Sequence, residues 1–296
     1  MTGRSGGHPL VEHLEAADLE SLRALRDWML SHDRLCIAYS GGVDSTLVAA
    51  IAAEQLGERA LAVTGVSPAL AEGLRRQAGQ QAGWLGIRHR EVGTQEWRDP
   101  AYSSNPSHRC YACKSELHRV LAAIAGQAGP GAQVVDGVNA DDLGEHRPGI
   151  AAAREHGVRS PLAELTIRKA SVRAISRALG FPWWDKPAQP CLASRFPYGE
   201  PISPDGLDRV GRAEALLEER GFRRLRVRSQ GDTARIELSP GELARALELW
   251  SDSRERAELV TALRGLGFTA VSLDLEGLVS GKLNRSLPGP PGSGGS

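Results

Sequence analysis

The sequence has few cysteines, few aromatic residues and no net charge. Four cysteines in 296 residues are too few for a disulfide scaffold, so we expect reduced thiols. The 36 basic residues are balanced by 36 acidic ones, which argues against a protein that works by general phosphate attraction along a nucleic acid. Aromatic residues make up 5%, too few to suggest a surface on which bases stack. The composition therefore predicts no nucleic-acid partner.

Long apolar runs are also lacking. The longest stretch without charge, residues 120–135, is broken by Gly, Gln and Pro, so the sequence predicts no membrane span. Residues 1–20 have no apolar core and carry acids, unlike a signal peptide. We therefore expect a cytoplasmic protein with no membrane partner.

Residues 35–185 alternate short apolar runs with helical patterns. Continuous apolar strands separated by helices predict an α/β fold with a doubly wound parallel sheet, covered on both faces. Ligands of such sheets bind at the carboxyl ends of the strands. The predicted strands are residues 35–39, 60–66, 87–92 and 134–138, and the predicted helices are residues 46–56, 69–82, 114–125, 150–156 and 169–179.

The pattern changes after about residue 200, next to the Pro-rich stretch FPYGEPISP, which is typical of a linker. Helices at 204–220, 240–248 and 253–265 and strands at 224–228, 234–238 and 270–275 predict a smaller C-terminal α+β domain with an antiparallel component. We therefore expect a flexible N-terminus (1–14), a first domain (15–200), a C-terminal domain (201–287) and a disordered tail (288–296).

The segment SGGVDS, from Ser40 to Ser45, follows the first predicted strand and precedes a helix. Glycines let the backbone approach a phosphate closely, and a helix N-terminus offers unpaired N–H groups and partial positive charge. The segment is neither a Walker A loop nor a GxGxxG fingerprint. An ordinary strand–helix turn also uses Gly, Ser and Asp as caps. Two glycines, two serines and an acid between LCIAY and an alanine-rich helix favour a phosphate loop.

Cys110 and Cys113 form a CxxC pair just before a predicted helix, and Cys191 lies in the segment PCLASR. Cys36 lies inside the first strand, where we expect a small core residue. A CxxC occurs in zinc sites, redox pairs and iron–sulfur sites. A closed zinc site needs four ligands, and His108 or His118 would have to supply what Cys191 does not. Three thiolates suit a [4Fe–4S] cluster with one open iron, which can bind sulfide. Unrelated, merely tolerated thiols are the alternative.

Two acids follow the fourth predicted strand, in the segment DGVNADD. Asp141 and Asp142 lie at the end of the sheet where a ligand binds, and Mg²⁺ prefers carboxylate and phosphate oxygens. Capping of a helix in a solvated loop explains either residue equally well. Asp142 is therefore one candidate Mg²⁺ ligand.

Arginines follow Cys191 and recur on a later strand. Ser194 and Arg195 lie just after this cysteine, and an arginine binds phosphate or carboxylate through two hydrogen bonds. Arg226 and Arg228 share one face of a predicted strand by its two-residue period, as in a phosphate clamp. Exposed strand arginines are more often simply solvated.

Six segments together resemble the LarE family. They are SGGVDSTL, NPSHRCYACKSEL, DGVNADDLGEHRPG, PCLASRFPYGEPIS, VRSQGDTARIEL and LDLEGLVSGKLN, in this order from about residue 15 to 285. The first is similar to the loop of the PP-loop ATP pyrophosphatases, which holds the pyrophosphate of ATP while a substrate is adenylated. LarE proteins are ATP-dependent sulfur transferases of nickel-pincer nucleotide cofactor synthesis. They adenylate a carboxylate of a pyridinium dicarboxylate mononucleotide and convert it to a thiocarboxylate.

The resemblance implies a PP-loop/HUP-like first domain, ATP and Mg²⁺ as cofactors, a small-molecule mononucleotide substrate and a homo-oligomer. It also implies roles for individual side chains. The ATP-binding residues would be Ser40, Gly41, Gly42, Asp44 and Ser45, the catalytic residues Asp44 and Cys191, and the substrate-binding residues Ser194, Arg195 and Arg228.

The family contains two kinds of sulfur source. One sacrifices the sulfur of a single cysteine, at the position of Cys191, and leaves dehydroalanine. The other has three cysteines, matching Cys110, Cys113 and Cys191, and resembles cluster-dependent thiolases. Because all three are present, the resemblance favours a [4Fe–4S] cluster, and the sacrificial route stays open.

One segment departs from the family pattern. In the stretch written here as GLVSGKLN, LarE proteins commonly have an arginine where this chain has Val279. They commonly have a small polar residue where this chain has Lys282. A lysine supplies a point charge but no planar fork, which puts the segment's role in substrate binding in doubt.

Three other functions are weighed against this one. An iron–sulfur-dependent tRNA thiolation enzyme would pair the same loop with three cysteines, but a basic, aromatic face for RNA is lacking. An amide-forming ligase of the NAD-synthetase kind would need no cysteines. A non-catalytic nucleotide sensor would not need to keep both an intact loop and three cysteines.

Overall fold

The computed structural model describes residues 10–144, 148–279 and 281–286. It has two compact units, one of residues 10–102 and His108–Pro190, the other of Ser103–Ser107 and the residues from Cys191 onward. The tail expected at 288–296 lies outside the described residues, as does most of the N-terminus expected at 1–14. Within the latter, the Val11 amide donates to the Ala178 carbonyl, and the Leu14 side chain is buried.

The first unit alternates strands and helices along the chain. In order, its elements are α1 (Ala16–Leu30), β1 (Arg34–Ala38), α2 (Val43–Leu56), β2 (Ala60–Val66), α3 (Glu72–Leu85), β3 (Arg88–Gly93), α4 (Pro100–Ser103), α5 (Arg109–Ala128), β4 (Ala132–Val135), α6 (Pro148–Glu155), α7 (Pro161–Glu164) and α8 (Lys169–Ala178).

Four parallel strands form the sheet of this unit, in the order β3-β2-β1-β4. Successive residues of β1 point to opposite faces, so Leu35 and Ile37 join one core while Cys36 and Ala38 join the other. Helices α1, α2, α3 and α8 cover the first face, and α5 covers the second together with part of α6. The predicted doubly wound parallel sheet is confirmed.

The central helix α2 explains why the phosphate loop is held rigidly. Its sequence, VDSTLVAAIAAEQL, is rich in alanine and leucine, which favour helix, and most of its residues are buried. A helix that is apolar nearly all round belongs in a core, and α2 packs on β1, α1 and α8. The loop that precedes it is therefore fixed between two buried elements.

The helices differ from the predicted ones at several places. Helix α1 was not predicted, although it buries Leu22, Leu25 and Met29 at three- and four-residue spacing. Helix α3 begins and ends later than the predicted range 69–82. Helix α5 begins at Arg109 and not at Lys114, so the CxxC pair lies inside the helix, near its start, and not before it. This shift changes the geometry of the two thiols.

The second unit contains α9 (Pro204–Glu219), β5 (Leu225–Gln230), β6 (Thr233–Leu238), α10 (Pro240–Leu249), α11 (Ser253–Gly265) and β7 (Ala270–Leu273). Strands β5 and β6 are antiparallel, and β7 pairs in parallel with β6. Helix α9 begins with Pro204 behind Ser203, whose Oγ accepts the Gly206 amide at 3.1 Å. This matches the expected small α+β domain with an antiparallel component.

The division between the units falls at Pro190, earlier than residue 200 where the sequence places it. The segment between these positions packs on α9, because Leu192 lies against Gly211 and the Phe196 ring lies against Gly206. Cys191 therefore begins the second unit. In the described parts of the chain, no helix has the length and apolarity needed to cross a membrane.

Candidate active site

The phosphate loop lies between β1 and α2 and is held by its own serines. Ser45 is buried, and its hydroxyl donates to the Gly42 carbonyl at 3.1 Å and accepts the Ser40 amide at 3.3 Å. Gly41 has φ +68°, and a Cβ there would lie about 3 Å from Ala78 and Gln81 of α3. Only glycine fits this left-handed position beside α3.

Asp44, in the first turn of α2, belongs to a closed ring of four residues. Asn139 Nδ2 donates to Asp44 Oδ1 at 3.2 Å, and the Lys169 amine pairs with Asp44 Oδ2. The Asp141 amide donates to Asn139 Oδ1 at 3.0 Å, and the Lys169 amide donates to Asp141 Oδ2 at 2.9 Å. Both oxygens of Asp44 are therefore oriented, and its charge is balanced.

Gly137 lets the end of β4 reach the start of α2. A Cβ at this position would lie 2.6 Å from the Ser45 nitrogen and 2.8 Å from the Ser45 Cα, closer than any side chain can approach. The segment DGVNADD is thereby brought alongside the phosphate loop, as expected for loops at the carboxyl ends of parallel strands.

The two acids of this segment stabilise local structure. Asp142 Oδ2 accepts the Asn139 amide at 3.1 Å and closes a turn. Asp141 accepts an amide at the N-terminus of α8, where a negative charge is favoured by the helix dipole. These contacts agree with the capping alternative, and a role of Asp142 toward Mg²⁺ stays a prediction.

A second lysine, near the end of the chain of the first unit, contacts the loop. Lys186 Nζ donates to the Gly41 carbonyl at 3.1 Å, and burial lowers the pKa of this half-buried amine. The loop sequence contains no lysine, so Lys169 and Lys186 supply the positive charge around it.

The cysteines differ in exposure. Cys36 is buried in the sheet, where burial raises its pKa to about 12, which confirms a core residue and keeps the thiol protonated. Cys110 is exposed and Cys113 is half-buried, three residues apart near the start of α5, so both side chains lie on one helix face. Cys191 is exposed in the second unit.

No group of three or more His, Cys, Asp or Glu side chains forms a metal-binding cluster within residues 10–144, 148–279 and 281–286. The donor set itself suits a cluster, since Cys110 and Cys113 share one face at the positive end of a helix, where anionic ligands are favoured. That the third thiol, Cys191, joins them stays a prediction.

The segment that follows Cys191 is a short 3₁₀ turn, Leu192–Arg195, fixed by two buried arginines. Arg195 forms two hydrogen bonds with the Glu214 carboxylate, at 2.8 and 2.9 Å, and donates to the Cys191 carbonyl at 3.3 Å. Arg228 Nε donates to Glu237 at 2.6 Å, and its Nη1 donates to the Ser194 carbonyl at 2.9 Å. Each arginine thus joins a carboxylate to a backbone carbonyl of the cysteine segment.

Arg226 differs from these two arginines because it forms no ion pair with any residue in the part of the chain that the structure describes. It is half-buried, and burial together with the neighbouring guanidinium groups of Arg195 and Arg228 lowers its pKa. The carboxylates of Glu214 and Glu237 act in the opposite direction but do not outweigh these effects. A half-buried cation without an ion pair is suited to bind an anion.

Lys282 lies in an acidic cluster of the same unit. Its amine is 3.0 Å from Asp274 Oδ2 and 3.7 Å from Glu237 Oε1, and it donates to the Gly277 carbonyl at 2.8 Å. The departure from the family pattern at this position therefore places a buried point charge beside Glu237, the partner of Arg228.

Comparisons with known proteins agree with this geometry. Residues 21–99 match the asparagine synthase family. An uncharacterised protein of Synechocystis sp. is 54% identical over 270 residues, which cover 91% of this chain and 99% of that protein. The pyridinium-3,5-bisthiocarboxylic acid mononucleotide synthase of Lactiplantibacillus plantarum is 35% identical over 255 residues, which cover 86% of this chain and 90% of the synthase. The chain belongs to the LarE family.

A more distant relative of this LarE-family chain, an uncharacterised protein of Methanocaldococcus jannaschii, is 28% identical over 243 residues, covering 82% of this chain and 90% of that protein. The match to the asparagine synthase family spans the phosphate loop, whose domain is of the PP-loop ATP pyrophosphatase type. This LarE-family chain is therefore an ATP-dependent enzyme.

The predicted site residues fall into two groups in the LarE-family chain. The first unit holds the loop residues Ser40, Gly41, Gly42, Asp44 and Ser45, with Asp142, Cys110 and Cys113. The second unit holds Cys191, Ser194, Arg195 and Arg228. Their roles toward ATP, metal and substrate stay predictions.

Four side chains at these sites were not among the predicted site residues. The sequence pattern could have indicated two of them as site residues. Asn139 lies in the segment that follows a predicted strand, and Arg226 shares a strand face with Arg228. No sequence pattern indicates Lys169 or Lys186, since they lie 125 residues after Asp44 and 145 residues after Gly41, respectively. Only the fold brings such lysines to a phosphate loop.

Proposed function

We propose that the protein adenylates a carboxylate of pyridinium-3,5-dicarboxylate mononucleotide and converts it to a thiocarboxylate in nickel-pincer nucleotide cofactor synthesis. The observation that carries this proposal is the ordered phosphate loop with Asp44 oriented on both oxygens, in a chain 35% identical to a pyridinium-3,5-bisthiocarboxylic acid mononucleotide synthase. The loop supplies the chemistry of ATP, and the relative's name supplies the substrate class.

The first step is nucleotide transfer. A carboxylate oxygen of the substrate attacks the α-phosphorus of ATP, the bond to the β-phosphate oxygen breaks, and pyrophosphate leaves with the electron pair. The loop amides and the N-terminus of α2 meet the charge that develops on pyrophosphate. Asp44 would hold Mg²⁺, which needs few protein carboxylates beside phosphate oxygens.

We assign substrate binding to the second unit, where arginines lie near the Cys191 segment. Ser194, Arg195 and Arg228 form the predicted site, and two of them are already paired with carboxylates. Arg226 forms no ion pair with a described residue, and we therefore assign to it a carboxylate or the phosphate of the mononucleotide.

Two sulfur sources fit the thiols. Cys110, Cys113 and Cys191 would hold a [4Fe–4S] cluster, which when bound supplies an iron that carries sulfide for the activated carboxylate. In the sacrificial route, the Cys191 thiolate displaces AMP from the acyl adenylate to give a thioester. Loss of the Cys191 α-proton then breaks the Cβ–S bond, leaving dehydroalanine in the chain and a thiocarboxylate on the product.

The test uses anaerobically purified protein with ATP, Mg²⁺, sulfide and the pyridinium dicarboxylate mononucleotide. We expect pyrophosphate release and a thiocarboxylate product by mass spectrometry, and a loss of at least about 100-fold in both for Asp44→Ala, since it removes the oriented carboxylate. Asp141→Ala, which loses a capping carboxylate in the same ring, is the matched control and should lose far less. Full pyrophosphate release by folded Asp44→Ala protein would refute the role of the loop.

Intact mass distinguishes the sulfur sources. With a cluster, more than one thiocarboxylate should form per chain and the polypeptide mass should not change. With sacrifice, product should not exceed one sulfur per chain, and the mass should fall by one H₂S at Cys191. In the second case Cys110→Ser and Cys113→Ser proteins would keep full activity.

A further inference from the structure

The phosphate loop carries a net negative charge of its own. Asp44 is the one ionisable residue of the segment SGGVDS, and its charge is balanced by the Lys169 amine. The polyphosphate of ATP adds several negative charges at the same place, and loop amides offer only partial positive charge. The Mg²⁺ that accompanies ATP would offset only part of this charge, so an additional full cation is expected close to the loop.

Lys186 is held beside the loop by a rigid segment. Its amide donates to the Trp183 carbonyl at 3.0 Å, closing a turn after α8. The Trp183 ring packs against two other aromatic rings, with centroid distances of 5.2 Å to Trp84 and 5.8 Å to Phe181. An anchored backbone reduces the entropy that the lysine loses when its amine binds a ligand.

The Lys186 amine has no carboxylate partner in the described ranges, and it contacts the neutral Gly41 carbonyl at 3.1 Å. Lys169 provides the contrast, because its amine is neutralised by Asp44. A half-buried ammonium group without a counter-ion is destabilised, which agrees with its lowered pKa. An anion bound at the loop would remove this penalty.

We propose that Lys186 binds the β- and γ-phosphates of ATP, moving its amine from the Gly41 carbonyl to phosphate oxygens, and stays on pyrophosphate as it leaves. The inference rests on the ATP-dependent part of the proposed function and not on the sulfur acceptor. The ammonium group donates hydrogen bonds throughout and transfers no proton, so it acts by opposing charge.

The test measures binding of three ligands by titration calorimetry in the presence of Mg²⁺: α,β-methylene ATP, pyrophosphate and AMP. For Lys186→Met we expect about 10- to 100-fold weaker binding of the first two and little change for AMP, since only the first two carry the phosphates concerned. Lys186→Arg should recover part of the loss. Arg76→Met removes the same charge from an exposed position of α3 and should change binding less than about twofold.

Two results would overturn the proposal. Unchanged binding of pyrophosphate to folded Lys186→Met protein would show that the amine does not contact the phosphates. Equal weakening of AMP and pyrophosphate would assign Lys186 to the structure of the loop, and Lys186→Gln serves if the Met variant does not fold. Because no sulfur acceptor is present, failure of the substrate assignment leaves this result unaffected.

Discussion

Arg226 and Arg228 show how two identical side chains on one face of β5 differ in function. Arg228 is buried against Glu237 and the Ser194 carbonyl, so it holds the backbone that follows Cys191. Arg226 lies two residues away with no ion pair to a described residue, and burial together with the guanidinium groups of Arg195 and Arg228 lowers its pKa. We assign structure to the first and substrate binding to the second.

This difference predicts opposite effects of the same substitution. Arg228→Gln should lower the free energy of unfolding by about 2–3 kcal/mol, because it leaves the buried Glu237 with fewer hydrogen bonds. Arg226→Gln should leave stability unchanged or raised, and should raise KM for the mononucleotide about 10-fold or more. Urea unfolding and steady-state kinetics on both variants check this. Destabilisation by Arg226→Gln with unchanged KM would reverse the assignment.

The hydrogen-bonded ring around Asp44 could be predicted only in part from the sequence. The sequence predicts the loop, because two glycines and two serines between a strand and a helix are a local pattern. It does not predict that Asn139 and Lys169 orient Asp44, since these partners lie 95 and 125 residues away. Such contacts depend on tertiary packing, which local pattern does not encode.

Helix α5 combines exposed thiols at its start with a buried histidine farther along. His118 is 1% exposed, and neither ring nitrogen has a hydrogen-bond partner among the described residues. Burial, with the nearby charge of Lys114 and the His156 ring at 6.4 Å, lowers its pKa to about 3. The imidazole is therefore neutral at pH 7.

The lowered pKa predicts a pH-dependent stability that belongs to this helix. Below about pH 6.5 the unfolded chain binds a proton at His118 that the folded protein binds only near pH 3, so stability falls as pH falls through this range. His118→Leu should reduce the loss of unfolding free energy between pH 7 and pH 4 by about 3 kcal/mol. Denaturant unfolding at both pH values measures it, with exposed His13→Leu as the control. Equal pH dependence in wild type and His118→Leu would contradict the pKa.

At the scale of elements, pattern predicted most of the sheet but missed some boundaries. Strand β2 was predicted at its observed bounds because ALAVTGV is apolar and lies between polar turns. The start of α5 was placed too late, because His108, Arg109 and Cys110 give no apolar periodicity. The first turn of a helix is often polar, and its position is then decided by packing.

At the scale of the whole molecule, two units carry the two halves of the predicted chemistry. The first holds the phosphate loop and the CxxC pair, and the second holds Cys191 and the arginines. The 35% identical synthase matches 86% of this chain, so the relationship extends over both units. The sequence predicted both folds but placed their boundary at 200, because a Pro-rich stretch indicates a linker and not which side the flanking residues pack on.

The central claim is that ATP activates a carboxylate by nucleotide transfer, and the fate of oxygen tests it most directly. The pyridinium dicarboxylate mononucleotide, labelled with ¹⁸O in its carboxylates, is incubated with the protein, ATP, Mg²⁺ and sulfide, and the nucleotide products are analysed by mass spectrometry. The account predicts one ¹⁸O in AMP and none in pyrophosphate, since the carboxylate oxygen attacks the α-phosphorus and leaves with AMP when sulfur replaces it. Unlabelled AMP, or ADP with labelled phosphate, would contradict it.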